Sequence, residues 1–480
     1  MSFNQKVLFL ILLGIFTRFT FLNWGNNYFF HPDENNMATA LSGLSLQNLN
    51  PHFFAYGQFP LYLGYYSLHI LNIPNTFVNS VFVLRFYSAL FSLLSLYFFY
   101  KIYPSLSFIL LLIFTPGLIQ LAHFGTTETL LILTFAINLY LAKLILQKPR
   151  FIFFVLAAIV TASAIATKIS GAIFALPIIL AAILAKSWYL IPFGFLSTFL
   201  SVAFSPYSLI ALPDFLSTIK YETAVAVGTL PVFYTNQFQH SVPYLFQIKK
   251  IFPYTNGWPI FLFAILSLPF LKIKNKKYFY IIFISCLTYF LYFGQLYVKW
   301  ARFMSPLFFI PPLLATVFLK RFPKLLPLAL IPGIIFFINY FLPDTRLRAS
   351  QYLVSTLPSN STILSESGNV INLPILSNSF NITNYDFYNS YPANLSTYLS
   401  TTDYIIVPSR RVFKNYNLQY YQHLFDGTLG FTMIKKISPL SDFFLNSENA
   451  EETWSVFDHP TIRIYQKTKN LSLDQYENLL

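Results

Sequence analysis

Charge is what this sequence has least of. Only 10% of its 480 residues are Asp, Glu, Lys or Arg, against about 25% in soluble domains. By contrast, 55% are hydrophobic and the mean hydropathy is +0.56. An ordinary soluble domain is thereby excluded, and a polytopic membrane protein is implied. Acid is scarcer still: of 17 acidic residues only Asp33, Glu34, Glu128, Asp214 and Glu222 precede Pro343. Residues 1–342 hold 21 of the 31 Lys and Arg, for a net charge of +16, and residues 343–480 carry −2. In a membrane chain such a surplus marks cytoplasmic loops and not a nucleic-acid partner. Cysteine is nearly absent. Cys286 alone, inside an apolar run, excludes an internal disulfide and leaves the redox compartment unmarked. No glycine-rich phosphate loop and no internal repeat is visible. A cleaved signal peptide is not expected, because Arg18 interrupts the first apolar run and no small-x-small site follows.

What the chain does have is apolar runs, at about 7–22, 79–100, 105–122, 127–146, 151–167, 171–185, 188–204, 258–271, 278–297, 303–319 and 325–342. These make about eleven candidate transmembrane helices, several shorter than the roughly 20 residues a bilayer core requires. Basic residues follow alternate runs: Lys101; Lys148 and Arg150; Lys186; Lys272, Lys274, Lys276 and Lys277; Lys320, Arg321 and Lys324. With Lys6 before the first run, these connections read as cytoplasmic. The loop at 23–78 then lies on the extracytoplasmic side, as do the loop at 205–257 and the tail from Pro343. Within the first loop, 38–49 suggests a short amphipathic helix on the membrane surface. Mixed charge, Asn/Ser-rich turns and β-like runs at Asp403–Val407 and Thr461–Tyr465 predict a small α/β domain over 343–480, after a membrane domain over 1–342. Four Asn-x-Ser/Thr triplets in the tail are what an Asn/Ser-rich segment yields by chance.

Ionisable groups near a membrane are costly and usually face a cavity or a partner. The topology gathers Asp33, Glu34 and Glu128 at one level with Arg85, Lys168, Lys299 and Arg302, on the extracytoplasmic side. A carboxylate there can take a proton from an acceptor hydroxyl. The cations can hold a phosphate and offset charge developing on it as a leaving group. The bilayer can deliver that phosphate on a lipid. The pattern points to sugar transfer from a polyprenyl-phosphate-linked donor.

The same residues carry a family resemblance. Asp33-Glu34, Asn50-Pro51-His52-Phe53-Phe54, Pro60-Leu61-Tyr62-Leu63, Arg85, His123 through Glu128, Ala166-Thr167-Lys168 and Arg302-Phe303 before Pro306 stand in an order that resembles the GT-C membrane glycosyltransferases. Within them it is similar to the branch of the protein O-mannosyltransferases and the aminoarabinose transferases of lipid A. The tail stretch Glu452–Pro460 resembles the endings of bacterial relatives. The resemblance implies that Asp33 is the general base and that Glu34 helps place substrate. It gives Glu128 the second acidic position, where relatives often have Asp. Arg85, Lys168 and Arg302 would contact the carrier phosphate. It also implies inversion at the anomeric carbon, a lipid-linked donor, and a protein, lipid or glycan acceptor.

Plainer readings stand beside these. Asp33 and Glu34 suit the first turn of a short helix, where acids complement the dipole, and so does Glu128. Arg18 is expected to snorkel to the headgroups; Arg85 and Lys168 are divided between that and phosphate contact. Asp214 and Glu222 read as loop surface, with that loop bordering the acceptor as the alternative. His31 and His123, beside the carboxylates, are expected to help bind substrate as hydrogen-bond partners; a divalent metal is the lesser alternative, and no cofactor is otherwise expected. A transporter or flippase for lipid-linked sugars could use the same groups. Transporters favour paired halves and charges near the midplane, whereas here the charges gather at one face. A scaffold without activity is a third reading, against which Asp33-Glu34 and Lys168 argue.

Overall fold

A computed structural model of the chain describes residues 3–273, 275–366, 373–385, 394–411 and 418–480. Lys274 therefore lies outside the described residues. The chain divides into two compact units. The first comprises 1–23, 33–230 and 242–337; the second comprises 24–32, 231–241 and 338–480.

The first unit is helical. Its order is α1 Phe3–Phe19, α2 Pro32–Ser42, α3 Phe59–Ile70, α4 Phe77–Ile102, α5 Leu106–Ile113, α6 Pro116–His123, α7 Glu128–Gln147, α8 Phe151–Ile165, α9 Leu176–Leu184, α10 Leu190–Phe204, α11 Tyr207–Ile210, α12 Leu212–Val227, α13 Phe252–Asn256, α14 Trp258–Leu266, α15 Lys276–Gly294, α16 Ile310–Leu319 and α17 Leu326–Ile338. Among the described residues four helical segments are long and apolar enough to cross a bilayer: Phe77–Ile102, Glu128–Gln147, Lys276–Gly294 and Pro323–Phe341. Two bent pairs raise the number to six. Shorter apolar helices cover Phe151–Ile165, Ile169–Leu184 and Leu190–Phe204. The protein is thus a multi-pass membrane protein, with apolar side chains such as Phe9, Leu12, Phe195 and Phe199 exposed for lipid. Of the four long spans α7 is the most enclosed, and it packs along α4 and α9.

The runs expected as single helices at 105–122 and 303–319 are broken. Leu106–Ile113 and Pro116–His123 meet at 56°, and Ala301–Leu307 and Ile310–Leu319 meet at 51°. The first break has a local cause: Pro116 starts α6 and cannot donate a backbone hydrogen bond into the turn before it. The carbonyls freed at the end of α5 go to Arg18. Its Nη1 donates to Ile113 O at 2.9 Å and its Nη2 to Leu112 O at 3.0 Å, while Nε donates to Ser92 Oγ at 3.0 Å. Arg18 is fully buried. The expectation that it snorkels is corrected: a cation at the negative end of a helix satisfies orphan carbonyls there.

The helix expected at 38–49 is also corrected. It runs from Pro32 to Ser42, and 45–48 forms a tight turn closed by the Ser45–Asn48 bridge. Proline at the first helical position costs no hydrogen bond, and Asp33 and Glu34 occupy the first turn. The buried face is Glu34, Met37, Ala38 and Leu41, the spacing of one helical stripe.

The second unit contains a five-stranded sheet: β1 Thr362–Glu366, β2 Asn381–Tyr385, β3 Tyr404–Val407, β4 Phe431–Ile437 and β5 Ile462–Lys467, in the order β2-β1-β3-β5-β4. β1 runs parallel to β2 and β3; β5 is antiparallel to β3 and β4. Ile363, Ile406 and Ile464 face α18 (Thr345–Thr356), through Ala349 and Leu353. On the other face Leu364, Ile405 and Val407 meet Leu399, Tyr420, Tyr421 and Tyr476. Burial on both faces explains the unbroken apolar run Tyr404–Val407. The small α/β tail expected from the sequence is present, with β3 and β5 at the two β-like runs.

Glu452–Pro460 is the hub of this second unit. Arg411 pairs with Glu452, Asp458 accepts from Tyr340 Oη at 2.9 Å and pairs with His459, and Pro460 O accepts from Thr345 Oγ1 at 2.6 Å. Trp24 stacks on His459, and the His31 ring lies 4.7 Å from that of Phe457. Asp344, buried but held twice by Arg346, stays below the usual carboxylate range.

Candidate active site

The two adjacent acids of α2 have different surroundings. Successive residues on a helix point about 100° apart, so Glu34 turns inward while Asp33 stays at the edge. Arg85 of α4 grips Glu34 with both arms, Nε to Oε2 at 2.8 Å and Nη2 to Oε1 at 2.6 Å. Its Nη1 donates to Leu22 O at 2.7 Å. Gly125 N also donates to Glu34 Oε2, at 2.7 Å. A Cβ on Gly125 would lie 3.1 Å from that oxygen and 2.9 Å from Leu84 Cβ, so a glycine brings this backbone amide to the carboxylate. Both side chains of the pair are 0% exposed. The geometry therefore gives Arg85 to Glu34, and neither presents its charge at a surface.

Asp33 pairs with Arg302 instead, and here 19% and 22% of the side chains remain exposed. Arg302 Nη1 also donates to Tyr56 Oη at 3.1 Å, and its guanidinium lies over the Trp300 ring. Tyr56 is placed by a backbone seam: Gly57 N donates to Thr167 O at 2.9 Å and Phe59 N to Ala166 O at 3.1 Å. A Cβ on Gly57 would meet Ala166 O at 2.0 Å, so only glycine permits this approach. The seam ends at Lys168, whose ammonium lies 5.5 Å from the Tyr56 ring centre and 4.8 Å from that of Phe303.

Among the described residues no carboxylate lies within 4 Å of Lys168. Burial lowers its pKa from the ordinary lysine value, against the pull of Glu128 and Glu222. Glu222 is raised by its own burial, with Lys168 opposing. Burial, Glu128 and Glu222 push the Tyr56 phenol well up, so it stays protonated at neutral pH. Glu128 is buried at the start of α7, with Thr127 Oγ1 donating to it at 3.5 Å. The structure thus joins Asp33, Arg302, Tyr56 and Lys168, with Glu128 and Glu222 in electrostatic reach.

Three expected site residues are enclosed away from this group. Arg85 and Glu34 are sealed together. His123 is fully buried, its Nδ1 2.8 Å from Ile119 O and its Nε2 2.9 Å from Thr20 O; two backbone carbonyls occupy the nitrogens a substrate or metal would need. His31 belongs to the second unit, against Phe457. Lys299, the other cation of its loop, donates to Tyr297 O at 2.9 Å. Among the described residues no three His, Cys, Asp or Glu side chains are grouped as metal ligands. Sequence reasoning missed Tyr56, one of 33 tyrosines with nothing to single it out. It gave Glu222 as loop surface, at most bordering the acceptor, although the rarity of acids in this part of the chain was a signal.

The chain has the fold of ArnT from Cupriavidus metallidurans. The structure of ArnT from Cupriavidus metallidurans bound to undecaprenyl phosphate aligns over 96% of this chain and 98% of its own, with a TM-score of 0.51 and 13% identity. Apo ArnT aligns over 74% of this chain and 66% of its own, at 0.45 and 17%. The mycobacterial arabinofuranosyltransferase AftD aligns over 98% of this chain but only 42% of its own length, at 0.40 and 12%. No protein-family model and no curated protein matches the sequence.

Proposed function

We propose that the protein is an inverting glycosyltransferase that moves a sugar from a polyprenyl-phosphate donor to an acceptor on the extracytoplasmic side of the cell membrane. The observation that carries the reading is the Asp33–Arg302–Tyr56 group beside Lys168, a half-buried cation with no carboxylate in ion-pair range among the described residues. The fold agrees with it, and the ArnT structure of the same fold holds undecaprenyl phosphate.

In this reading Asp33 accepts the proton of the acceptor hydroxyl as that oxygen attacks the anomeric carbon. The bond from the anomeric carbon to the phosphate oxygen breaks, and its electron pair leaves with the carrier phosphate. Attack opposite the leaving group inverts the centre. Lys168 and Arg302 stabilise the charge that grows on the phosphate. Tyr56 accepts from Arg302 and keeps its own proton to donate to the same anion. Glu128 and Glu222 hold Lys168 in its charged form against burial. Glu34 and Arg85 work from inside, fixing α2 against α4 so that Asp33 is aimed. The acceptor class, protein, lipid or glycan, is set by groups outside this constellation.

Reconstitution with labelled polyprenyl-phosphate sugars tests the assignment. Asp33→Asn should lower transfer by at least ~10²-fold, the lower end of general-base contributions. Equal transfer by wild type and variant sinks the base assignment. Movement of the labelled lipid across the bilayer with no sugar transferred points instead to a flippase.

A further inference from the structure

We infer that the turn Pro439–Leu445 of the second unit is a lipid-inserting wedge that seats the C-terminal domain on the bilayer. Three of its four large apolar side chains face outward: Leu440 is 47% exposed, Phe443 86% and Phe444 42%, while Leu445 anchors the turn inside. Its polar groups face inward, the reverse of a solvated loop. Ser441 Oγ accepts from Asn339 Nδ2 at 2.8 Å, and the amides of Leu440 and Ser441 donate to Asn339 Oδ1 at 2.9 and 3.4 Å. Asp442, the acid of the turn, accepts from Ser447 N at 3.0 Å and from Thr461 Oγ1 at 3.1 Å. Water therefore meets the hydrocarbon of the turn and little of its polarity, an arrangement expected of an apolar insertion surface.

The occupant is named by continuity. Asn339, which pins the turn, lies in the last turn of the candidate membrane span Pro323–Phe341. Around it Ile338, Phe341 and Leu342 are exposed, as lipid-facing residues at the end of a span should be. The wedge is thus tied through Asn339 to the exposed end of that span. Arg348 donates to Ser438 O at 3.3 Å at the root of the turn, and Lys436 is exposed on β4 beside it, its ammonium 3.8 Å from Glu448 Oε2; both cations suit phospholipid headgroups. A bilayer explains the outward aromatics, the inward polar groups and the flanking cations together.

The lone cysteine makes the test clean. A Cys286→Ser background is labelled with a nitroxide at Phe443→Cys and, for comparison, at Thr401→Cys, an exposed site on a different helix of the same domain. The full chain is placed in nanodiscs of phosphatidylcholine with phosphatidylglycerol. Collision with oxygen, which partitions into hydrocarbon, is compared with collision with a water-soluble nickel chelate. The oxygen-to-nickel ratio should be several-fold higher at 443 than at 401. The same ratio at both sites overturns the inference, because the turn is then in water. A label at 443 shielded from both colliders also overturns it, since that result means a protein partner. The outcome does not depend on whether the protein transfers sugar.

Discussion

Asp33 and Glu34 are neighbours in sequence, each paired with an arginine, yet the two pairs do opposite things. Glu34–Arg85 is sealed, bidentate and backed by the Gly125 amide. Asp33–Arg302 is partly exposed and shared with Tyr56. A sealed pair can hold two helices together, but its charges cannot meet a substrate without unpacking. An open pair contributes little to stability, and its guanidinium can be claimed by an incoming phosphate. The contrast separates what fixes the site from what works in it.

The sharpest way to break that contrast is to cut the sealed pair. Arg85→Met or Glu34→Leu should each destabilise the first unit by about 3–5 kcal/mol, the cost of leaving one buried charge unpaired. Replacing both at once should recover much of the loss. Asp33→Asn, in the same detergent-based thermal unfolding assay, should shift little. If Arg85→Met unfolds like wild type and loses only donor affinity, the roles given to the two pairs are reversed.

Lys168 is the cation the open pair works beside. Lys168→Ala should reduce transfer efficiency by about 10- to 100-fold, from the roughly 1.5–3 kcal/mol of a hydrogen bond to a charged group. The loss should fall on both donor affinity and turnover, and Lys168→Arg should restore part of it. Titrating transfer against donor concentration reads the split. An alanine variant with unchanged affinity and rate removes Lys168 from the phosphate site.

Much of this was legible beforehand, and the illegible part has physical causes. Hydropathy and alternating basic connections gave the membrane class, and unbroken apolar runs gave the tail's strands. Scarcity of acid singled out Asp33 and Glu34. What composition could not show was which arginine each acid meets. Arg85 and Arg302 are equally rare cations at a similar depth, and the choice rests on the 100° turn between adjacent residues of α2 and the packing of α4 behind it. The break before Pro116 could be suspected, but not its satisfaction by Arg18, some 95 residues earlier. Tyr56 reaches Lys168 only through the Gly57 seam, a long-range backbone contact with no periodic trace.

Glu366 extends the comparison to a carboxylate buried with no cation in ion-pair range among the described residues. It accepts from Tyr421 Oη at 2.7 Å and Tyr385 Oη at 3.0 Å, and burial pushes its pKa up to about 8 against those hydrogen bonds. A raised folded-state pKa means the native state binds the proton more tightly than the unfolded chain. Stability is therefore fully present below the ordinary value of 4.5 and is lost as pH rises through about 8. The slope on the second unit should reach at most about 1.4 kcal/mol per pH unit. Glu366→Gln should flatten it. Hydrogen exchange of the sheet between pH 5 and 8 measures this, and a wild-type profile as flat as the variant's refutes it.

The finest distinction within the open pair is the Tyr56 hydroxyl. Tyr56→Phe keeps the ring beside Lys168 and removes only the oxygen that accepts from Arg302 Nη1 at 3.1 Å. One hydrogen bond of this kind contributes about 1 kcal/mol, so transfer efficiency should fall roughly fivefold with the unfolding temperature unchanged. If the phenol also donates to the carrier phosphate, the fall should be larger in turnover than in donor affinity, because the phosphate gains charge as the sugar leaves. A loss confined to affinity would make Tyr56 a packing and orienting residue for Arg302 and nothing more. A gain in activity would mean that Tyr56 holds Arg302 on Asp33 and restrains the base, and the direction of that one change decides whether the open pair is poised for the phosphate or held back from it.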